Sequence, residues 1–231
     1  MIRLFVEESL EEGRVISLDE KKAHYLIHVM RCEVGGEVSL FNGKDGEFQS
    51  EILQEAKKKF ALKIIEKTKD FLPTQPCILC PAIIKKENMD FVLQKATELG
   101  VSEIFPVITD RTVVRNFNLE RAKSIVAEAA EQSERLDCPI VHEPTVLIDL
   151  FKKLPEEATV FFLSERGETT YQKTDVKTPV FLIGPEGGFT PKEVQYIEMR
   201  QNTATLHLGT TILRAETASI AILSCWQYQV F

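Results

Sequence analysis

The chain has 231 residues, 28 Lys and Arg against 35 Asp and Glu, and a formal net charge of −7. Its length suits one large or two small domains, and 44% hydrophobic with 27% charged residues is the balance of an ordinary soluble globular protein. The acidic balance argues against a generic polyanion binder. No apolar run reaches the roughly 18 residues of a membrane span. The opening Met1 to Glu8 lacks the apolar core of a signal peptide, so a cytoplasmic location is expected.

Splitting the chain does not expose a basic half. Residues 1 to 70 hold 12 Lys and Arg against 14 Asp and Glu, and the remainder holds 16 against 21. Any nucleic-acid binding must come from local patches, shape or base contacts. The five cysteines, Cys32, Cys77, Cys80, Cys138 and Cys225, are odd in number and irregularly spaced, as expected of reduced thiols. No metal is expected. Cys77-Ile78-Leu79-Cys80 has no second CxxC and lies in a strand-like run, where positions i and i+3 face opposite ways. His24 and His28 are four apart without an HExxH pattern or a nearby third ligand.

In chain order, Ile2 to Val6 reads as a strand. Asp19 to Arg31 reads as a helix, with Ala23, Leu26, Ile27 and Met30 at helical spacing. Gly35-Gly36 breaks the chain before a strand from Glu37 to Phe41. Asn42-Gly43 and Asp45-Gly46 are turn signals ahead of strands from Glu47 to Leu53 and from Phe60 to Ile65. Several short strands and one helix in 70 residues predict a small β-barrel. Residues 71 to 76 carry two prolines and form the expected linker, with a second domain over 77 to 231.

There strands and helices alternate. The expected elements are a strand over 78–84, a helix over 88–99 stopped by Gly100, and a strand over 103–107. A helix capped by Asn118 and reaching Arg135 follows, then a helix over 145–154 and a strand over 160–163. This alternation predicts a largely parallel sheet covered on both faces. Val180 to Ile183 is a buried strand ended by Gly184-Pro185. Gly184, Gly187 and Gly188 are expected to permit positive φ and close approach of the backbone to a ligand. Thr190, Pro191 and Glu193 form a capping box with proline at the first helical position. Thr205 to Leu208 is a further strand ended by Gly209, and a last helix runs from near Arg214 to about Gln229. Two glycine loops at strand C-termini are where small ligands sit in open α/β sheets.

The strings Gly184-Pro185-Glu186-Gly187-Gly188-Phe189 and Leu208-Gly209-x-x-Ile212-Leu213-Arg214-x-Glu216-Thr217-Ala218 closely resemble those of the knotted, SPOUT-class RNA methyltransferases. Within that class they are similar to the RsmE-type family, which methylates N3 of one uridine in bacterial 16S ribosomal RNA. Lys85, Gln94 to Gly100, Ile104 to Pro106 and Glu128 to Arg135 carry the likeness through the second domain. His24, Val29 to Arg31, Gly35 to Glu37 and Leu40 to Gly43 carry it through the first. One position departs: Thr211 stands where the family usually has arginine.

The resemblance implies an α/β fold, a knotted SPOUT-type domain with a parallel sheet preceded by a PUA-like β-barrel that binds RNA. It implies S-adenosyl-L-methionine as cofactor, a homodimer, and 16S ribosomal RNA within the small ribosomal subunit as partner. A cofactor pocket, apolar throughout, would be lined by Leu163, Ile183, Gly184, Glu186, Gly187, Leu208, Gly209, Ile212, Leu213 and Ala218. Uracil N3 becomes a nucleophile only once its proton leaves, so the site needs a base or a cation for the developing anion. Glu186 and Glu216 are the candidate bases and Arg214 the candidate stabiliser, although Arg214 and Glu216 can instead simply pair. N3 lies on the Watson–Crick edge, so the target must be unpaired or extruded. Arg31, Lys85, Lys86, Arg111 and Arg115 are candidate phosphate contacts or plain solvated charges. Two other readings stay open: a non-catalytic RNA-binding or assembly factor on this scaffold, and a methyltransferase for another RNA or a ribosomal protein.

Overall fold

The structure is a computed structural model that describes residues 2–57, 59–164 and 176–228. The chain divides into two compact units. One comprises Met1–Pro73 with Ala130–Cys138, the other Thr74–Ala129 with Pro139–Phe231.

The first unit contains β1 (Ile2–Phe5), β2 (Val15–Ser17), α1 (Glu20–His24), β3 (Glu37–Phe41), β4 (Glu47–Ala56) and β5 (Lys59–Lys69). They form one sheet in the order β1-β3-β4-β5-β2, with β1 parallel to β3 and the other pairs antiparallel. Alternate residues of these strands, among them Leu4, Val38, Leu40, Phe48, Ile52, Leu62 and Ile64, meet Leu26 in a single core. The helix expected over 19–31 is shorter and changes pitch. After α1 the chain makes a π-helical turn over Tyr25–Val29, in which the Met30 N–H reaches the Tyr25 carbonyl. Arg31 then takes a left-handed φ of 57°, so it lies outside the helix.

Arg3 and Glu47 tie this unit together. Glu47 is 3% exposed and accepts from Arg3 Nε at 2.6 Å and from the Ser39 hydroxyl, with Lys69 Nζ at 2.8 Å from its other oxygen. The guanidinium of Arg3 also donates to the carbonyls of Ala130, Glu131 and Arg135. The Phe5 amide donates to the Glu131 carboxylate. The unit thus acquires a piece of chain from about 130 residues downstream.

The second unit contains β6 (Ile78–Pro81), α2 (Lys86–Glu98), β7 (Glu103–Ile104), β8 (Val107–Ile108), α3 (Leu119–Gln132, the last turn of which belongs to the first unit), β9 (Ile140–Val141) and β10 (Thr145–Val146). It continues with α4 (Leu147–Lys153), β11 (Thr159–Leu163), β12 (Pro179–Ile183), α5 (Pro191–Glu198), β13 (Thr203–Leu206) and α6 (Ala215–Gln227). The main sheet runs β13-β11-β12-β6-β7-β9, parallel throughout. Burial covers both of its faces: α2, α3 and α6 build a core on one side, α4 and α5 on the other. Cys77 belongs to the first of these cores and Cys80 to the second, as alternation along a strand requires.

Prolines account for two departures from the sequence reading. The strand expected over 78–84 ends at Pro81, and that over 103–107 splits at Pro106. The part before Pro106 pairs in the main sheet, while β8 pairs with β10 in a separate two-stranded sheet. That pairing consumes Thr145 and Val146, so α4 starts only at Leu147. α3 stops at Gln132, short of Arg135, because Glu134 turns to a φ of 58°.

Candidate functional site

Three neighbouring strands, β13, β11 and β12, end at Leu206, Leu163 and Ile183. Their ends, with the segments leaving β12 and β13, line a cavity of about 380 Å³, within the size range of small-molecule sites. Phe162, Leu163, Ile183, Leu208, Ile212, Leu213, Ala215 and Ala218 supply its apolar wall. Ser164, Glu186, His207, Thr211, Arg111 and Arg214 also line it, so it is not apolar throughout. Loops that end strands carry turn chemistry, and their polar side chains come with them.

The glycines act differently from the expectation. Gly188 has φ 66° and Gly209 φ 73°, but Gly184 and Gly187 are outside the left-handed region. A Cβ on Gly184 would stand 3.1 Å from the Phe189 ring, which folds back beneath the loop and meets Phe162 edge to face. At Gly187 a Cβ would lie 3.5 Å from the Arg111 side chain. Gly184 thus makes room for a protein side chain, whereas a Cβ at 187 would meet Arg111 only at ordinary van der Waals contact. The capping box is present: the Thr190 hydroxyl accepts from the Glu193 amide, and the Glu193 carboxylate accepts from the Thr190 amide. His207 Nδ1 lies 3.1 Å from the Ser164 carbonyl, linking the ends of β13 and β11.

Of the residues expected to hold a cofactor, Leu163, Ile183, Gly184, Glu186, Gly187, Leu208, Ile212, Leu213 and Ala218 line this one cavity, and Gly209 does not. Among the candidate catalytic residues, Glu186 and Arg214 are on the wall. Glu216 is not on it: its side chain is 12% exposed, one oxygen is 4.0 Å from Arg214 Nη1, and the other is buried without a hydrogen-bond partner among the described residues. Arg214 is the N-terminal cap residue of α6 and its side chain is 81% exposed. Phe189 stands inside the first diagnostic string and His207 directly before the second, yet nothing in the sequence assigns them to the wall.

The candidate phosphate contacts are dispersed. Lys85 caps α2, while Lys86 lines a second cavity of about 320 Å³ with Asp90, Asn116 and Arg121. Arg115 and Arg31 are exposed. Arg111 alone of this set reaches the first cavity, with Nη1 donating to the Gly187 carbonyl at 2.7 Å and, more weakly, to that of Phe189 at 3.4 Å.

Residues 72–227 match the family described as the RNA methyltransferase domain, and residues 18–65 match the RNA methyltransferase PUA domain. A Rickettsia conorii protein, ribosomal RNA small subunit methyltransferase E, is 33% identical over 96% of this chain and 93% of its own length. The chain belongs to the ribosomal RNA small subunit methyltransferase E family. The Bacillus subtilis member is 29% identical across 99% of this chain and 97% of its own. Among solved structures, the Neisseria gonorrhoeae member bound to S-adenosyl methionine superposes with a TM-score of 0.89 at 30% identity, covering 99% of this chain and 98% of that one. A Legionella pneumophila protein in complex with SAM gives 0.87 at 29% identity, covering 99% and 97%. The fold is therefore the α/β methyltransferase fold of this family, with its PUA-like domain at the N-terminus. Among the described residues no helix is long and apolar enough to cross a membrane.

Proposed function

We propose that this protein transfers a methyl group from S-adenosyl-L-methionine to N3 of a single uridine in 16S ribosomal RNA. One observation carries the reading: a single cavity at the ends of β11, β12 and β13 brings together an apolar wall, an exposed carboxylate and an exposed guanidinium. The wall fits the proposed cofactor. Leu163, Ile183, Leu208, Ile212 and Leu213 offer an apolar bed for a nucleoside, and the polar rim can meet the charged end of an amino acid.

When bound, S-adenosylmethionine supplies a methyl group already made electrophilic by its sulfonium. The chain's own residues then have three tasks. The apolar wall excludes water and fixes the approach of the base. Glu186 would accept the N3 proton, leaving the nitrogen lone pair free to act as the nucleophile. Arg214 donates to the uracil oxygen on which negative charge gathers as that proton leaves. Glu216, mostly buried behind Arg214, fits a role in orienting that guanidinium better than that of a base.

The reading extends to the assembled small subunit as substrate, a cytoplasmic location and a homodimer, the 1–70 region docking RNA through the PUA-like fold. Exposed Phe91 on α2 and Tyr228 just past α6 lie on a pair of packed helices that a second copy would cover. Primer extension on 16S RNA from a strain lacking the protein tests the chemistry. An N3-methyl blocks pairing and halts the polymerase, so the stop should vanish on deletion. A stop that persists would remove the proposed target.

A further inference from the structure

The turn that follows β8 is locked onto the loop that follows β12. Within the turn, the Thr109 amide and hydroxyl both bond to the Thr112 hydroxyl, at 2.9 Å each, and both threonines are buried. The amide of Asp110 donates to one oxygen of Glu193 at 2.8 Å, and the amide of Thr190 donates to the other at 2.7 Å. Glu193 is 9% exposed, so one buried carboxylate holds both segments at once. Arg111 makes the second link, its guanidinium bridging the Gly187 and Phe189 carbonyls. Its aliphatic stem packs beside Gly187, at an ordinary 3.5 Å from where a Cβ would be.

We infer that Arg111 is a positioning residue for the methyl donor, holding the 184–189 wall of the cavity in its binding shape rather than acting mainly as a contact for RNA phosphate. This rests on the methyltransferase reading above. The carbonyls of Gly187 and Phe189 belong to the cavity-forming loop, and no regular helix or strand ladder holds that stretch of backbone. Without the guanidinium, both carbonyls lose a charged donor and the loop is held to the turn mainly through Glu193, with one long bond of 3.5 Å from the Thr190 hydroxyl to the Asp110 carboxylate beside it. The donor would then meet a wall that must be ordered at the moment of binding, and affinity falls by that cost. Nothing in this role requires a phosphate.

The test is Arg111→Ala, an exposed position at which truncation leaves the buried threonine and Glu193 contacts in place. Isothermal calorimetry with S-adenosylmethionine should show affinity lowered about tenfold, the loss expected for one charged hydrogen bond. The KM for the donor should rise in proportion, with kcat lowered much less, and RNA affinity with its salt dependence should be unmoved. Arg111→Lys, which can still reach one carbonyl, should recover part of the donor affinity. Glu193→Gln, which keeps a single acceptor oxygen, should lower donor affinity while sparing RNA affinity. Unchanged donor affinity in Arg111→Ala, with weaker RNA binding and a salt slope smaller by about one, would overturn the inference in favour of a phosphate contact. Absence of donor binding by the wild type would overturn the underlying methyltransferase reading. Equal binding by wild type and Arg111→Ala would overturn only the positioning role.

Discussion

Replacing Arg214 by alanine separates chemistry from architecture, because the structure gives that side chain little to stabilise. Among the described residues its nearest carboxylate oxygen, on Glu216, is 4.0 Å away, and the guanidinium side chain is 81% exposed. An ion pair of that kind contributes about 0–1 kcal/mol. In a chain of this size such a loss lowers the melting temperature by no more than about 4 °C. If Arg214 stabilises the uracil anion, its removal resembles loss of an oxyanion-hole donor, about 2.7–4 kcal/mol or a hundred- to a thousandfold in rate. The two effects therefore differ by severalfold in free energy. Single-turnover methylation at saturating donor, with donor affinity measured on the same preparation, should show the rate collapsing while affinity changes by less than about threefold. Arg214→Lys should recover only part of the rate, since a point charge lacks the planar fork. A saturated rate within about threefold of wild type would refute the catalytic assignment. Loss of stability and donor affinity together, with the rate kept, would show that Arg214 serves only to pair with Glu216.

Two further expectations concern packing and pH. Gly184→Val should abolish detectable donor binding by calorimetry, because its Cβ starts 3.1 Å from the Phe189 ring and two more methyls must displace that ring into the cavity. Gly187→Ala, whose Cβ would meet Arg111 at an ordinary 3.5 Å, should bind within about threefold of wild type, and the reverse order would refute this account of the loop. For Glu47, burial pushes the carboxyl pKa up, but donors from Lys69, Arg3 and Ser39 outweigh it and hold the group below its ordinary 4.5. A depressed folded-state pKa means that the stabilisation is complete above about pH 4.5 and is lost as pH falls through the lower folded value. Glu47→Gln should thus cost about 3–5 kcal/mol at pH 7 by leaving buried Arg3 without its counter-charge. Denaturant titrations of wild type and variant should converge on acidification, and a gap independent of pH would refute the linkage.

Periodicity placed most strands and helices, and the two loop strings placed the cavity, because both signals are local. What it missed depends on partners distant in sequence. Thr145 and Val146 are β-branched but adjoin the helical pattern from Leu147 on, and the pairing that makes them a strand comes from β8, more than 30 residues earlier. The change of pitch at Tyr25 is equally silent, since a π turn and an α turn bury nearly the same residues. The capping box at Thr190 was legible in full, yet the second task of Glu193, accepting from Asp110, spans 83 residues and leaves no mark on spacing. In the sequence Arg111 stands out by its charge alone. Its contact with the Gly187 carbonyl depends on a turn and a loop brought together by the sheet. Glu216, inside a diagnostic string, could not be distinguished from Glu186 without knowing which of them faces the cavity.

The segment 130–138 has a consequence for how the protein is made. Arg3, in the first strand of the N-terminal unit, finds the carbonyls of Ala130, Glu131 and Arg135 only after more than half the chain has been synthesised. Until then a nascent N-terminal unit leaves the ribosome with its core strands complete but the remaining donors of Arg3 bonded only to water. Translation usually completes an N-terminal domain before the next one begins. Here the first domain closes late, its final contacts timed by the emergence of residue 138 from the exit tunnel. A genetic cut at the proline-rich linker would therefore excise a unit that lacks its own last piece.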